Sequence, residues 1–439
     1  MNSFLPINNK KIGILGAARS GLAAADLANN LGADVFISDI NNFSDVKIEG
    51  VEYEFGQHSD KILKSDFIIK SPGIKNNSKI IKKIKDLSIP IVSEIEFASW
   101  FTNGFIIALT GTNGKTTTVE LINSILKDNG FISLLGGNIG VPFSANVLME
   151  LCNKEDKNIF HVLEVSSFQL DDIKYFKPNI SIILNISPDH IDYHKNFNNY
   201  LNAKLKITMN QDSSCYAIIN ENQISTIHQK SKAEEIKFRV LDDSFFLKGK
   251  KIELDISQSL LKGKHNYENI LSAFITCKLC GLDHKEIIDS INIFPSLPHR
   301  LEELQSKAEF RIYNDSKATN LHATCAAIDA IESNIILILG GIDKNDSDFS
   351  ILKKYKNKIQ KIILYGESRE FINKQLSSYF DIYLYKKFDE AVYQSIKLSS
   401  SSNNILLSPA CASFDQFKNY EERGNYFKDI IINYYEKNQ

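Results

Sequence analysis

The sequence predicts an α/β protein with three domains. Short apolar runs alternate with helical patterns along most of the chain, which is typical of parallel sheets covered by helices. With 439 residues, the chain has room for roughly three domains of ~150 residues each. Polar or glycine-rich segments follow several apolar runs, at the strand ends where open α/β sheets bind their ligands. We place the domains at residues 1–94, 95–297 and 298–439.

Composition and charge narrow the class of protein. Basic and acidic residues number 51 and 53, for a net charge of −2, which argues against a nucleic-acid partner. No uninterrupted apolar stretch approaches the ~18 residues needed to span a membrane. Residues 1–7 lack the charged start and apolar core of a signal peptide. We therefore expect a cytoplasmic enzyme, monomeric and without a membrane partner.

The cysteines do not indicate a disulfide or zinc framework. Six cysteines are too few to form a disulfide framework in a chain of this length. Cys277 and Cys280 have a spacing that serves zinc and redox sites, but no second Cys or His pair lies nearby, and a structural zinc site needs four ligands. We expect two half-buried cysteines on a helix.

The first domain is predicted to be Rossmann-like. Its predicted elements are strands at 11–15, 34–38, 67–70 and 90–92 and a helix over about 21–31. Residues 16–21 form the turn between the first strand and the helix, and Asp39 ends the next strand, as in nucleotide-binding folds. Ala18 replaces the second glycine of the dinucleotide fingerprint, so the turn indicates a phosphate-bearing ligand more than NAD. Ser71 and Gly73, at another strand end, would face the same crevice.

The middle domain is predicted to be of the P-loop ATPase type, with a mostly parallel sheet. An apolar strand leads into a turn with Gly111 and Gly114, and a helical pattern begins at Thr116. Backbone N–H groups in such a turn bind phosphate. Lys115 can reach the outer phosphates, and the Thr116 hydroxyl can hold Mg²⁺. Leu109 departs from the strict Walker pattern, yet Gly-Lys-Thr-Thr at a helix start still predicts a nucleoside triphosphate site.

Polar side chains end two further strands of the middle domain. Glu164 lies at one strand end, where a carboxylate can hold a phosphate-bound Mg²⁺. Asp189, His190 and Asp192 follow the next strand, and a histidine among carboxylates in a nucleotide domain is a candidate second metal ligand. From its own helical segment, Lys204 is interpreted as a solvent-exposed lysine.

The third domain is also predicted to be Rossmann-like, after a proline-containing linker at 294–300. Its predicted strands are at 310–313, 335–339, 361–365 and 404–408. Polar loops at 314–320, 340–344 and 408–417 follow strands, and as a set they suggest one shared ligand site. Residues 265–269 suit helix capping and contacts to a nucleotide base or ribose equally.

Together these motifs resemble the Mur ligase family, ATP-dependent amide-forming enzymes of peptidoglycan synthesis. The resemblance covers essentially the whole chain. The family-wide motifs are GTNGKT at 111–116, EVSS at 164–167, DHxD at 189–192, HNxxN at 265–269 and HR at 299–300. The segments that point to the branch adding D-glutamate are EVSSFQL at 164–170, NDSKATN at 314–320 and SPACASFDQF at 408–417.

The resemblance implies a reaction and its catalytic residues. ATP phosphorylates the terminal carboxylate of UDP-N-acetylmuramoyl-L-alanine, the amine of D-glutamate attacks the acyl phosphate through a tetrahedral intermediate, and phosphate leaves. The implied catalytic residues are Lys115, His190, Lys204 and Lys317. In this family the lysine matching Lys204 is carbamylated by CO₂, which turns a cation into a carboxylate able to join the metal site. This implication replaces the solvent-exposed interpretation of that lysine.

The resemblance also assigns the ligands to residues. Two Mg²⁺ ions are expected, with Thr116, Glu164, His190 and the modified Lys204 as the metal-site residues. The implied ATP-binding residues are Gly111, Thr112, Asn113, Gly114, Lys115, Thr116, Thr117, Asn269, Arg300 and Asp315. The implied UDP-substrate residues are Arg19, Ser20, Asp39, Ser71, Gly73 and Asn138. The implied D-glutamate residues are Thr319, Lys344 and Ser413.

Other functions stay open on the sequence. A switch-type P-loop GTPase or motor would hydrolyse nucleotide without an amino-acid acceptor, and the third-domain loops argue against it. A dehydrogenase would rest on the incomplete N-terminal turn alone. Another amide ligase of the same family, with a different amino-acid acceptor, or a folylpolyglutamate synthase would share the ATP site but should lack the segments that point to D-glutamate.

Overall fold

The computed structural model describes residues 4–42, 48–153, 158–221, 231–295, 297–343 and 347–437. The chain packs as two compact units, Met1–Ser259 with Asn266–Phe294 and Leu260–His265 with Pro295–Gln439. The first unit carries two sheets and the second carries one. The predicted α/β class is confirmed, and the boundaries of the three domains stay a prediction.

The first sheet consists of five parallel strands. They are β1 (Lys11–Leu15), β2 (Asp34–Asp39), β3 (Glu52–Phe55), β4 (Phe67–Lys70) and β5 (Ile91–Ser93), in the order β3-β2-β1-β4-β5. The accompanying helices are α1 (Arg19–Asn30), α2 (Lys79–Asp86), α3 (Glu94–Ser99) and a 3₁₀ helix at Asp60–Lys64. Leu15 pairs with both Ser38 and Lys70, so the loops after β1, β2 and β4 emerge side by side at one edge.

The second sheet has eight strands. They are β6 (Phe105–Thr110), β7 (Ile132–Gly137), β8 (Ile159–Glu164), β9 (Ile180–Ile183), β10 (Tyr216–Asn220), β11 (Glu234–Leu241), β12 (Ser244–Leu247) and β13 (Lys250–Ile252). Their order is β13-β12-β11-β10-β9-β6-β8-β7, and only the pairs β11–β12 and β12–β13 are antiparallel among the described pairings. The helices are α4 (Lys115–Asp128), α5 (Phe143–Cys152), α6 (Ser167–Asp171), α7 (Ile191–His194), α8 (Phe197–Leu205), α9 (Lys264–Leu279), α10 (His284–Ile293) and a 3₁₀ helix at Lys206–Thr208.

The second unit contains the third sheet. Its strands are β14 (Glu302–Glu303), β15 (Ile312–Asn314), β16 (Ile335–Gly340), β17 (Ile359–Tyr365), β18 (Asp381–Leu384) and β19 (Asn404–Ala410), in the order β14-β15-β19-β16-β17-β18. All neighbours are parallel except β14 and β15. The helices are α11 (Leu321–Ala330), α12 (Arg369–Leu376), α13 (Phe388–Leu398), α14 (Tyr420–Lys437) and a 3₁₀ helix at Phe349–Tyr355.

Parallel strands in the centres of these sheets are buried along their whole length. Every residue of β8 and of β16 is buried. Burial on both faces explains why β16 is a continuous apolar run in the sequence. Each fully buried Val, Leu or Ile side chain stabilises the fold by ~1.5–3 kcal/mol. Across the part of the chain that the structure describes, no helix combines the length and apolarity needed to cross a bilayer.

The cysteine prediction needs one correction. All six cysteines are free thiols. Cys277 is fully buried on α9 rather than half-buried, whereas Cys280 is partly buried just after that helix. Burial raises the pKa of the Cys280 thiol to about 12, so this thiol stays protonated and unreactive at neutral pH.

Candidate active site

The glycine-rich turn after β6 is held open by two asparagines from other elements. Gly114, the residue before α4, has φ +79°, a conformation that glycine adopts readily. A Cβ atom at this position would overlap the Asn269 side-chain oxygen. Asn185 accepts hydrogen bonds at Oδ1 from the backbone N–H groups of Thr112 (3.2 Å) and Asn113 (2.8 Å). The turn therefore has one defined shape before any nucleotide arrives.

Asn185 is a functional residue that the sequence analysis missed. Its amide nitrogen also donates to the Asn113 carbonyl oxygen at 2.9 Å, and its side chain is buried. Its only signal in the sequence is a polar residue two positions after the end of β9. Many turn residues share that signal, so the sequence did not distinguish it.

Two predicted metal-site residues meet at the start of α4. The Thr116 hydroxyl donates to Glu164 Oε2 at 2.8 Å, and Glu164 is 2% exposed at the end of β8. The Asn138 amide donates to Glu164 Oε1 at 2.9 Å. Thus Asn138, expected at the UDP substrate, lies directly against a metal-site carboxylate. Mg²⁺ binds through one or two carboxylates together with substrate phosphates, and this pair of oxygen donors beside the turn fits that chemistry.

His190 lies on the same sheet edge and remains partly open to solvent. It precedes α7 with φ +51°, and its side chain is 41% exposed. Its ring nitrogen Nε2 is 3.7 Å from Asp189 Oδ2, and its ring packs 5.0 Å from that of Phe168 on α6. The ring is thus packed against a neighbour, while 41% of the side chain remains exposed.

The described residues contain no group of three His, Cys, Asp or Glu side chains close enough to hold a metal ion by themselves. A metal at this edge would therefore draw ligands from substrate phosphates or from a modified side chain. For Asp192, the second acidic residue of the DHxD motif, the structure describes only the backbone position in α7.

Lys204 is buried, so its interpretation as a solvent-exposed helix lysine is wrong. The residue is 2% exposed, because α8 places it beneath the phosphate-binding turn. Its Nζ donates to the Gly111 carbonyl oxygen at 2.7 Å and to Thr110 Oγ1 at 3.3 Å, and it lies 4.8 Å from the Tyr200 ring centre. Burial, reinforced by the positive charge of Lys115, holds the pKa of the Lys204 ammonium well below its usual value.

Lys115 and the remaining turn residues complete this cluster. Lys115 Nζ donates to the Thr112 carbonyl oxygen at 2.8 Å, so its side chain folds over the turn. The Thr112 hydroxyl lies 3.1 Å from that of Tyr200, and Thr117 is buried in the first turn of α4. The structure brings together every predicted ATP and metal residue that belongs to the second sheet.

The predicted UDP-substrate residues of the first sheet share the edge where β1, β2 and β4 end. Asp39 Oδ2 accepts from the Ala17 backbone N–H at 2.7 Å, which ties the turn after β1 to β2. Ser71 Oγ donates to the Gly16 carbonyl oxygen at 3.4 Å. A Cβ on Gly73 would meet no atom within 4 Å, so there is open space beside this loop.

Arg19 and Ser20 start α1 at the same edge. Arg19 is exposed and Ser20 is partly buried. The Arg19 guanidinium donates to the Gly140 carbonyl oxygen at 3.3 Å, in the loop that also carries Asn138. This hydrogen bond therefore connects the start of α1 to the loop that carries Asn138.

In the second unit, Asp315 follows β15 and is 8% exposed. Its Oδ2 accepts from Ser408 Oγ at 2.8 Å and its Oδ1 from the Leu301 backbone N–H at 3.2 Å. Burial raises the pKa of this carboxyl to about 7, although these hydrogen bonds and the charge of Arg300 act in the opposite direction. The charge of Arg300 thus acts on the Asp315 carboxyl, while the role of both residues in ATP binding stays a prediction.

The loops proposed for the amino acid lie around the same strands. Ser413 is 2% exposed after β19, and Thr319 is partly buried in the loop after β15. Lys317 Nζ donates to the Tyr420 hydroxyl at 2.8 Å. The third predicted D-glutamate residue, Lys344, lies outside the described residues.

Arg423 on α14 is a second residue that the sequence analysis missed. It is fully buried and donates to the carbonyl oxygens of Ser316 (2.7 Å) and Cys411 (3.2 Å). It therefore joins the loop after β15 to the end of β19. In the sequence it stands among glutamates in a helical pattern, which is typical of an exposed arginine.

Comparisons with known proteins agree with this geometry. Residues 109–277 match the family described as Mur ligase middle domain, and residues 299–411 match the one described as Mur ligase, glutamate ligase domain. A protein of Christiangramia forsetii named UDP-N-acetylmuramoylalanine--D-glutamate ligase is 37% identical over 448 residues, covering 97% of this chain and 99% of the relative. A protein of the same name from Elusimicrobium minutum is 39% identical over 450 residues, covering 96% and 97%.

Solved structures show the same fold. The MurF ligase of Thermotoga maritima in complex with ADP superposes with a TM-score of 0.62 at 13% identity, covering 99% of this chain and 97% of that one. A pseudomurein peptide ligase type C from Methanothermus fervidus superposes with a TM-score of 0.60 at 20% identity, covering 98% and 100%. From the family matches and the full-length relatives, the chain belongs to the Mur ligase family of ATP-dependent, amide-bond-forming ligases.

Proposed function

We propose that the protein adds D-glutamate to UDP-N-acetylmuramoyl-L-alanine, at the expense of ATP, in the cytoplasmic synthesis of peptidoglycan precursors. The observation that carries this proposal is the similarity along nearly the whole chain to relatives named for that reaction. The arrangement of the phosphate-binding turn, Glu164 and the buried Lys204 supports a phosphoryl-transfer step at the edge of the second sheet.

The reaction proceeds in two displacements. A carboxylate oxygen of the substrate attacks the γ-phosphorus of ATP, so that an acyl phosphate forms and ADP leaves. The unprotonated amine of D-glutamate then attacks the acyl carbon, the tetrahedral intermediate expels phosphate, and the nitrogen loses a proton. Phosphoryl transfer is catalysed mainly by positioning and by stabilising charge, which are the tasks that the residues of this edge can perform.

The turn and its lysine hold the nucleotide in this proposal. Residues 111–117 bind the β- and γ-phosphates, and Lys115 moves from the Thr112 carbonyl, where it lies 2.8 Å away, to the phosphate oxygens. Asn269, already against Gly114, and Arg300 with Asp315 contact the rest of ATP. Lys317 lies near the transferred phosphate.

Thr116 and Glu164 are the proposed ligands of a first Mg²⁺ and His190 of a second. When bound, Mg²⁺ neutralises charge on the phosphate oxygens during transfer. The hydroxyl and carboxylate are already 2.8 Å apart, and the partial exposure of His190 supports its role as a ligand.

Lys204 is the proposed site of carbamylation. A carbamate forms when an unprotonated amine adds to the carbon of CO₂ and loses a proton. The buried position of Lys204 beneath the turn supports this reaction, because burial disfavours the ammonium. The new carboxylate would place negative charge beside Lys115 and supply oxygen donors to the metal edge.

The two organic substrates occupy the remaining sites of the proposal. Arg19, Ser20, Asp39, Ser71 and Gly73 bind the UDP end at the edge of the first sheet, and Asn138 lies between that edge and Glu164. The D-glutamate carboxylates are held by Thr319, Lys344 and Ser413.

An amino-acid panel tests the proposed acceptor. Phosphate release is measured with UDP-N-acetylmuramoyl-L-alanine, ATP and one amino acid at a time. We expect release with D-glutamate and rates lower by about 10⁴ or more with L-alanine, because a site built to pair buried polar groups rejects analogues that lack them. Diaminopimelate has a second carboxylate but is longer and carries a second ammonium, so it should also be a poor acceptor. Comparable rates with an amino acid that has no side-chain carboxylate would contradict the proposed acceptor.

A further inference from the structure

A buried ion pair lies between the first sheet and helix α6. Lys70, the last residue of β4, places its Nζ 2.7 Å from Oδ2 of Asp172, the residue after α6. The Lys70 side chain is 1% exposed and that of Asp172 is 19% exposed. Lys70 Nζ also donates to Asn76 Oδ1 at 2.7 Å. A buried lysine requires such partners, and neither member of the pair belongs to the sites described above.

The lysine end of the pair adjoins the loop proposed for the UDP end of the substrate. Lys70 directly precedes Ser71, whose backbone N–H donates to the Leu15 carbonyl oxygen at 2.9 Å. The Ser71 hydroxyl donates a hydrogen bond to the Gly16 carbonyl oxygen in the turn after β1. A shift of Lys70 would therefore be transmitted to the loop at residues 71–73.

The aspartate end adjoins the edge proposed for phosphoryl transfer. Helix α6 starts shortly after Glu164 and packs Phe168 against His190, with ring centres 5.0 Å apart. Its Ser167 hydroxyl lies 2.9 Å from His194 Nε2. The position of Asp172 is thus tied to Glu164 and His190, two of the proposed metal-site residues.

A second contact runs beside the ion pair. The Ser93 backbone N–H at the end of β5 donates to the Asp172 carbonyl oxygen at 3.1 Å, and Ser93 is the register partner of Lys70. The first sheet therefore contacts the end of α6 at two adjacent points, through a backbone hydrogen bond and through the ion pair.

We infer that Lys70 and Asp172 are positioning residues that hold the UDP-substrate loop at a fixed distance from the Glu164–His190 edge. This inference rests on the proposed function. The substrate must span from the first-sheet loop to the transferred phosphate, and reacting atoms must come within ~3–3.5 Å of each other. The ion pair fixes the separation of the two ends of that span, and a directional charge contact does so better than apolar packing.

The test replaces the pair with apolar side chains of similar volume. In the double variant Lys70→Met with Asp172→Leu, no unpaired charge is left buried, and such replacements commonly preserve folding. We expect KM for UDP-N-acetylmuramoyl-L-alanine to rise about tenfold or more, since small misplacements of reacting groups have effects of this size. ADP binding, measured by calorimetry without turnover, should stay within about twofold, because the phosphate-binding turn makes no contact with the pair.

Two further variants complete the design. The exposed pair Lys83 and Asp60, with Nζ 2.9 Å from Oδ1, is the matched control, and Lys83→Met with Asp60→Leu should leave both constants unchanged. Lys70→Gln with Asp172→Asn keeps both side chains near their native size and leaves no charge buried, so it carries the same test if the first double variant does not fold.

The outcomes distinguish a positioning role of the pair from a general structural role and from failure of the proposed function. Wild-type KM for the UDP substrate in a folded double variant overturns the positioning role, and so does an equal loss of ADP and UDP-substrate binding, which would indicate a general structural role. If the wild-type protein itself does not turn over the UDP substrate with any amino acid, the proposed function fails first and the inference falls with it.

Discussion

Replacement of Lys204 by alanine tests the least conventional residue of the proposed site. The change removes the donor to the Gly111 carbonyl oxygen, and a buried acceptor left unsatisfied costs ~1–3 kcal/mol. It also removes three buried methylenes, at ~0.8 kcal/mol each. The variant no longer pays the desolvation cost of a buried amine, and this gain offsets part of the loss in stability. Domains unfold at a cost of ~5–15 kcal/mol, so the variant should remain folded.

The loss of activity should be much larger than the loss of stability. A carbamate on Lys204 would supply charge to the phosphoryl-transfer step, and removing one such electrostatic partner lowers rates by ~10²–10³. Acetate or another short carboxylic acid should restore part of the rate by occupying the space vacated under the turn. The assay is phosphate release with both substrates, across a range of acetate concentrations, with thermal melting to confirm folding.

The matched control is Asn202→Ala, an exposed position on the same helix α8, which should keep the wild-type rate with and without acetate. Full activity in Lys204→Ala would refute the carbamate role. A folded, nucleotide-binding variant that acetate does not rescue would also contradict it, because the missing group would then not be a carboxylate.

Three further predictions follow from the geometry. Lys115→Ala should lower turnover by ~10²–10³ without unfolding the protein, as measured by phosphate release and circular dichroism. Gly114→Ala should weaken ADP binding in calorimetry, because φ +79° costs a non-glycine residue ~1–2 kcal/mol and the new Cβ would displace Asn269. Glu94, fully buried and accepting from the Ser144 backbone N–H at 2.5 Å, has its pKa raised to about 7 by burial. The folded state binds this proton more tightly than the unfolded state does. Protonation of Glu94 therefore stabilises the fold fully below about pH 4.5, and this stabilisation is lost as pH rises through about 7. Stability of Glu94→Gln relative to wild type should therefore increase over this range by up to about 3 kcal/mol, in urea titrations.

The first two of these predictions each have a control in the chain. Lys127→Ala, at the exposed end of α4, should keep full turnover, and a Lys115→Ala rate within a few-fold of wild type would contradict the phosphate role. Gly130 has φ +80° with no atom near a new Cβ, so Gly130→Ala should affect stability but not ADP binding; equal ADP affinities in both glycine variants would count against the packing argument. A stability difference between Glu94→Gln and wild type that stays flat over this pH range would disprove the raised pKa of Glu94.

The elements with local signals were predictable from the sequence. The glycine turn at 111–114, the buried parallel strands and the polar groups at their ends depend on neighbouring residues, so apolar runs and glycines located them. The strands β11–β13 were missed, because β11 alternates exposed and buried residues and its partners are short and rich in polar groups. A search for continuous apolar runs does not detect half-buried edge strands.

The residues that the sequence did not reveal depend on contacts between distant segments. Lys204 is buried only because α8 packs under a turn formed far earlier in the chain. Asn185 and Arg423 likewise act on loops outside their own elements. The Lys70–Asp172 pair joins the end of β4 to the end of helix α6. In each case the local pattern is that of an ordinary surface residue, and tertiary packing decides its role.

Isotope transfer from the substrate carboxylate tests the central claim most directly. UDP-N-acetylmuramoyl-L-alanine labelled with ¹⁸O in its terminal carboxylate is incubated with the protein, ATP and D-glutamate, and the released phosphate is analysed by mass spectrometry. If an acyl phosphate forms and the D-glutamate amine displaces it, one labelled oxygen appears in each phosphate as the amide product accumulates. Released phosphate that carries no ¹⁸O would contradict the acyl-phosphate reaction, because its fourth oxygen would then have come from water, and would identify the activity as simple hydrolysis of ATP.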